Sequence, residues 1–302
     1  MKRQGLLIAG LLAISLLIGC VDKGIQVPTK AEASGSVEQV ENYDTAEIIK
    51  FDHMENVFGF ADESGKRLIT ISDENGSLLS NPEAFDVAIG NNGEVLAIKF
   101  VKRQEANDKD SFRQTMYNFD NMEGYIYEAA EGAFIPNKAY WLTAGTNVGK
   151  DAFIKLNSTR VLDSNVDYYQ SVDGETINKI ETIKGRKITN GSLIAETADK
   201  ARICLFVFER QGDDMLASIA YISDDKAVFR DYPAKYDEMS TWRVDAGDEP
   251  GLFEVLFLAN SDQGLLLGLT WAAPEGENIL ILKEANGVFE ETGLSVGRYW
   301  AP

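Results

Sequence analysis

Short runs of alternating apolar and polar residues, cut at close intervals by Gly, Asn and Asp, fill most of the chain. Arg67-Leu68-Ile69-Thr70-Ile71-Ser72 is the first clear run, and Asn75-Gly76 after it is a strong two-residue hairpin signal. Asn92-Gly93 precedes the next strand, 95–101, and 125–127, 139–142 and 153–156 read as further strands separated by Gly132, Gly145 and Gly149. Residues 104–122 break this pattern. They are polar at first, then place Phe112, Met116 and Phe119 at helical spacing behind Asp110-Ser111, which predicts a short amphipathic helix or a long connection with those apolar residues on a core. In the C-terminal third the runs 203–208, 215–222 and 227–229 are parted by Gly212-Asp213-Asp214 and Ser223-Asp224-Asp225. A second group, 253–258, 265–271, 278–282 and 288–289, is parted by Gln263-Gly264, Pro274-Glu275-Gly276 and Asn286-Gly287. Strands this short and evenly spaced predict a mainly β fold of antiparallel meanders, sandwich-like or propeller-like, with few short helices; α+β is the alternative. The offset between the two groups is about fifty residues, near the length of some propeller blades, but they share almost no residues.

The N-terminus follows a different pattern. Lys2 and Arg3 precede an uninterrupted apolar and small run, 6–18, which closes on Leu17-Ile18-Gly19-Cys20. A membrane-spanning helix needs about 20 apolar residues, and this run is shorter and is followed at once by Asp22 and Lys23. With Cys after Gly in place of an A-x-A-like site, the segment resembles the signal peptides of bacterial lipoproteins. The resemblance covers only these twenty residues. It implies cleavage before Cys20, lipidation of Cys20, and a domain held by its lipid on the extracytoplasmic side of a bacterial membrane. Two acyl chains suffice for stable anchoring, at about 0.8 kcal/mol per buried methylene. The expected organisation is a signal peptide over 1–19, a flexible Gly/Ser/Glu/Lys-rich tether over 20–43, and a β-rich domain over 44–302, with a possible subdivision near 190–200.

Composition narrows the function classes. Hydrophobic residues at 44% and aromatics at 10% suffice for a large core, so global disorder is excluded. The formal net charge is −19, with 48 acidic against 29 basic residues. Loss of Lys2 and Arg3 with the signal makes the remainder more negative still. Phosphate backbones are bound by exchanging Lys and Arg for counterions, so nucleic acid is not an expected partner. Charge would not dock the domain on an anionic membrane either; the lipid must do so. Of the two cysteines, Cys20 goes to the lipid and Cys204 is left alone in the apolar run 202–208, where it reads as a small buried hydrophobe.

Candidate chemistry is sparse. His53 is the single histidine, no G-x-S-x-G or phosphate-binding loop is present, and nothing near His53 in sequence identifies a nucleophile. Carboxylates are the plentiful reagent. Asp163, Asn165 and Asp167, followed by Asp173-Gly174-Glu175, place oxygen ligands at alternate positions, as a calcium loop would. Tyr168 stands where that loop needs Gly, and Gly174 where it needs a bidentate Glu. No other cofactor is expected. Trp141, Trp242, Trp271 and Trp300, with Tyr168, Tyr169 and Tyr299, offer a second route to function, as the lining of a groove for sugar or peptide; Trp300 is the one a core explains least. These features predict a lipid-anchored binding or envelope-assembly module, with an envelope protein or glycan as partner and no catalysis. A carboxylate-dependent hydrolase is the alternative.

Overall fold

The computed structural model describes residues 48–71, 78–149, 151–163 and 166–301, all within the compact unit Asp44–Pro302. The chain is mainly β and its strands pair almost entirely antiparallel, as the alternation predicts. Among the described residues no helix is long and apolar enough to cross a membrane.

The first six strands close into a barrel. They are β1 (Phe58–Ala61), β2 (Arg67–Thr70), β3 (Val87–Gly90), β4 (Glu94–Gln104), β5 (Gly124–Ala129) and β6 (Ala139–Thr143), in the order β1-β2-β5-β4-β3-β6 and back to β1. Closure leaves no free strand edge. Because side chains alternate across a strand, each supplies both faces. Leu68, Ala88, Tyr127, Tyr140 and Leu142 fill the barrel. Their neighbours Ile69, Ile89, Ile126 and Trp141 point outward. Gly90 is required by the filling: a Cβ there would lie 2.6 Å from the Tyr140 ring.

The remaining strands form one large sheet. They are β7 (Phe153–Ile154), β8 (Leu156–Ser158), β9 (Arg160–Asp163), β10 (Val166–Ser171), β11 (Ile188–Thr197), β12 (Arg202–Phe208), β13 (Asp214–Ile222), β14 (Ala227–Lys235), β15 (Leu252–Ser261), β16 (Gly264–Ala273), β17 (Gly276–Ala285) and β18 (Val288–Tyr299). The order is β7-β15-β16-β17-β18-β14-β13-β12-β11-β10-β9, and β8 also pairs with β11. β7 and β8 are separated only by Lys155, yet β7 pairs with β15 and β8 with β11. The sheet therefore curls round on itself, with this one segment bridging its two ends. Residues 190–200 lie largely within β11, which is paired on both sides.

Ile203, Ala217, Ile219, Val255, Leu267 and Leu282 project into the curl and form its core. The opposite face packs in two places. On β15 to β17, Leu256, Phe257, Leu266, Ile279 and Ile281 meet the outward face of the barrel, where Trp141 and Phe257 have ring centroids 5.6 Å apart. On β12 to β14, Cys204, Phe206, Ala220 and Phe229 are covered by the helix α1 (Gly174–Lys184) through Ile177 and Ile180. At about 1.5–3 kcal/mol for each fully buried large apolar side chain, these layers dominate the stabilisation.

Candidate functional site

Two surfaces gather polar or aromatic side chains from distant parts of the chain. One is a crevice where the barrel meets the curled sheet, a cavity of about 210 Å³. The β3–β4 turn forms one wall. Asn91, Asn92 and Gly93 all have positive φ, and the turn docks on β15 by N–H donation from Asn92 to the Val255 carbonyl (3.1 Å) and from Gly93 to that of Leu256 (2.7 Å). Glu254, on β15, is three-quarters buried at the floor. Its carboxylate accepts from the Lys138 ammonium at 2.6 Å and from the Arg160 guanidinium. Tyr169 donates its hydroxyl to the Phe253 carbonyl at 2.7 Å.

Glu277, on β17, also lines the crevice and belongs to an ion pair with Arg298 (3.0 Å), and the Arg298 side chain is 1% exposed. That guanidinium also donates to the carbonyls of Gln114 (2.6 Å) and Asn137 (2.7 Å) and to the Asn137 side-chain oxygen, and lies 4.0 Å over the Phe60 ring. Burial lowers its pKa from the ordinary arginine value, against the pull of Glu277. Both crevice carboxylates are thus satisfied by cations. A glycosidase needs one of its pair protonated near neutral pH, which burial without a cation would favour.

The second surface is a ledge built by residues 105–123, between β4 and β5. It is the long connection of the two expected forms; no helix forms here. The reason is local: Asp110 accepts from the Phe112 N–H (2.8 Å) and the Asn118 amide (2.7 Å), while Asn118, 4% exposed, accepts from Ser111 and donates to the Arg113 carbonyl. Side chains that bond nearby backbone compete with a helical ladder. Phe119 and Met122 anchor the ledge in the layer between barrel and sheet, and the buried Gln104 amide donates to both their carbonyls. At its other side Gln114 donates to the Tyr299 carbonyl (2.8 Å) and accepts from the Tyr299 N–H (2.9 Å).

The expectation that Phe112 faces a core is corrected. It is 86% exposed and holds φ +59°, and Tyr117 beside it is 77% exposed. A bulky residue in the left-handed region is unusual, and such strain clusters at functional sites. Lys109, Arg113, Tyr117, Asn121 and Trp300 line a depression of about 610 Å³. The Trp300 indole donates to the Pro274 carbonyl at 3.0 Å, which holds the ring at the rim.

The other sequence-level candidates fall elsewhere. Cys20 and Asn165 lie outside the described residues, as do the side chains of Asp163 and Asp167. The backbone there is a hairpin, with Asp163 opposite Val166 and Asp167 opposite Leu162. Asp173 is engaged as the N-cap of α1: it accepts from the Thr176 N–H at 2.9 Å, which with the Thr176 hydroxyl and Arg202 brings its carboxyl down to about 2. Among the described residues no group of His, Cys, Asp and Glu is arranged to hold a metal ion. His53 sits exposed in a single turn of 3₁₀ helix. Cys204 is fully buried and its thiol is pushed up to about 12 by burial.

The aromatic candidates are dispersed. Trp141 is in the core, and Trp242 and Trp271 donate their indoles to the Tyr232 and Pro250 carbonyls inside the curl. Tyr169 lines the crevice, and only Tyr299 and Trp300 reach the ledge. Lys138, Arg160, Glu254 and Arg298 carried no sequence signal, because each acquires its partner across more than ninety residues or from another layer. Phe112 and Tyr117 did carry one, as large aromatics in a polar stretch. In comparison with known proteins, the chain matches no family model, no curated protein and no solved structure.

Proposed function

We propose that the protein is a bacterial lipoprotein, anchored through Cys20 on the extracytoplasmic side of the membrane, whose β domain binds an envelope glycan or protein and catalyses no reaction. The observation that supports a binding role is the ledge: exposed aromatics on a connection held by hydrogen bonds from both flanks lose little entropy on contact, and they sit beside amide and basic side chains that can take polar groups. Its Lys109 and Arg113 make no ion pair among the described residues, in a chain where acidic residues far outnumber basic ones. The alternative of carboxylate-dependent hydrolysis draws less support, since Glu254 and Glu277 are both held by cations.

Two measurements test the reading in cells. Cys20→Ala should abolish fatty-acid labelling and release the protein from the membrane fraction; persistent labelling sinks the anchoring half. The double variant Phe112→Ser, Tyr117→Ser should stay anchored and fold normally while losing cross-links to envelope glycan and protein. An unchanged cross-linking pattern would sink the ledge.

A further inference from the structure

A third cavity, of about 370 Å³, lies at the seam between β14 and β18. Among the described residues these are the only neighbouring strands in the large sheet that run parallel, and their register is one residue pair long, Phe229 with Val288. Beyond it the strands diverge. The reason the space stays open can be read from the inward face of β18. Residues directly opposite in register share a face, so Glu291, Ser295 and Gly297 join Leu282, Leu280 and Asn278 on the inner side. The inward positions of β12, β13, β15 and β16 are mostly apolar and large, whereas β18 presents Phe289 and then Glu, Ser and Gly. A bulge opposite Ile281, with Gly293 at φ +82° and the Thr292 hydroxyl bonded to the Ile281 carbonyl, interrupts the pairing of this stretch with β17 between Glu291 and Ser295. The opening is therefore written into the side-chain sizes of one strand.

The facing wall is aromatic and polar. Tyr232 of β14 stands 4.8 Å centroid to centroid from Trp271, which in turn stacks on Phe253 at 5.2 Å with 12° between the rings. Three buried side-chain polar atoms among the described residues lack a hydrogen-bond partner, and two of them line this cavity: the Tyr232 hydroxyl and the Arg230 Nε. Tyr232 is 8% exposed, so its hydroxyl has little water to turn to; the neighbouring Arg230 guanidinium can donate toward that oxygen, which leaves the Tyr232 O–H itself without an acceptor. An unpaired buried donor is costly, and in a native protein it calls for a specific explanation.

We infer that this seam binds a small, planar, apolar molecule bearing a neutral hydrogen-bond acceptor such as a carbonyl oxygen, which takes the Tyr232 O–H while its ring system lies against Tyr232 and Trp271. The volume agrees with small-molecule sites, which run from about 300 to 1,000 Å³, and Tyr232 and Trp271 supply an apolar aromatic wall within a lining of mixed polarity. The acceptor is neutral because the Arg230 charge is already balanced by Glu291 at the mouth, where the two side chains are 28% and 66% exposed. An added peptide strand fits less well, since the Tyr232 carbonyl on the β14 edge is taken by the Trp242 indole at 2.8 Å. The seam is distinct from the ledge and does not depend on it.

Equilibrium dialysis of the purified full chain against coumarin, a planar lactone, and naphthalene, a hydrocarbon of like size without an acceptor, tests the site. Coumarin should bind about tenfold tighter, the margin expected of a hydrogen bond made by an otherwise unpaired donor. Tyr232→Phe removes only the hydroxyl and should erase most of that margin while leaving naphthalene bound. Gly297→Leu grows a side chain from a position whose nearest neighbour to a new Cβ is 4.0 Å away, and should exclude both molecules with the melting temperature retained. Equal binding of the two probes, binding indifferent to Gly297→Leu, or no binding of either would overturn the inference.

Discussion

Arg298 does more to hold the layers together than any sequence signal around it suggests. One guanidinium, placed by β18, reaches the ledge at Gln114, the β5–β6 connection at Asn137 and β17 at Glu277, and covers the Phe60 ring of the barrel. Burying that charge is tolerable because its hydrogen bonds are nearly all made. Arg298→Met would leave the Glu277 carboxylate uncompensated and should cost about 3–5 kcal/mol in urea unfolding, the usual penalty for breaking a buried pair from one side. Arg298→Lys should recover only part of it, because a point ammonium cannot serve carbonyls in several directions. A loss below the ordinary range for surface substitutions would mean that the pair is not structurally important.

At the scale of elements, α1 and the ledge invert the expectation from periodicity. The helical spacing in 104–122 yields no helix, because Asn107, Asp110 and Asn118 offer the backbone other partners. The helix forms instead at Gly174–Lys184, inside an acid-rich stretch that resembles a loop, where Asp173 supplies the cap and Ile177 and Ile180 find the apolar outer face of β12 and β13. Asp173→Ala should therefore destabilise the domain by about 0.5–2 kcal/mol near neutral pH. The sign of its pH dependence follows from a carboxyl brought down from 3.8 to about 2: the contribution is complete above pH 3.8, is lost as pH falls through about 2, and the wild-type and variant stabilities should converge there. A difference that persists unchanged in acid would show that the carboxylate is not its source.

The β9–β10 hairpin carries the calcium proposal at the same scale. A bound ion would raise the melting temperature in proportion to occupancy, so thermal unfolding with calcium and with a chelator should differ, and Asp163→Asn with Asp167→Asn should abolish the difference. Equal melting temperatures would retire the proposal.

For the whole molecule, the barrel and the curled sheet share one apolar layer, centred on Trp141 and Phe257, and they should lose structure together. Phe257→Ala removes the sheet's ring from that contact and should cost about 3–5 kcal/mol while leaving a single unfolding transition; two separated transitions would show that the layer does not couple the parts. Strands such as β2, β4, β12, β13 and β16 and the turns at Asn92-Gly93 and Asn286-Gly287 were legible in the sequence because alternation and Asn-Gly chemistry act over a few residues, whereas β3, β9, β10 and β11 were not, and Asn75-Gly76 lies outside the described residues. Leu68 and Ile69, or Ile203 and Cys204, take opposite faces from that local geometry alone, and the apolar run around Cys204 was enough to predict its burial. Closure was not legible. That β14 meets β18 for one pair and then parts from it, that a six-residue segment bridges β15 and β11, and that Lys138 and Arg160 converge on Glu254 all depend on how far the large sheet curls. Curl is the sum of twists and packing over many strands, and no window of sequence contains it. Local chemistry determined which segments are strands, whereas the global path of the sheet alone decided which side chains meet, and so where the crevice, the ledge and the open seam lie.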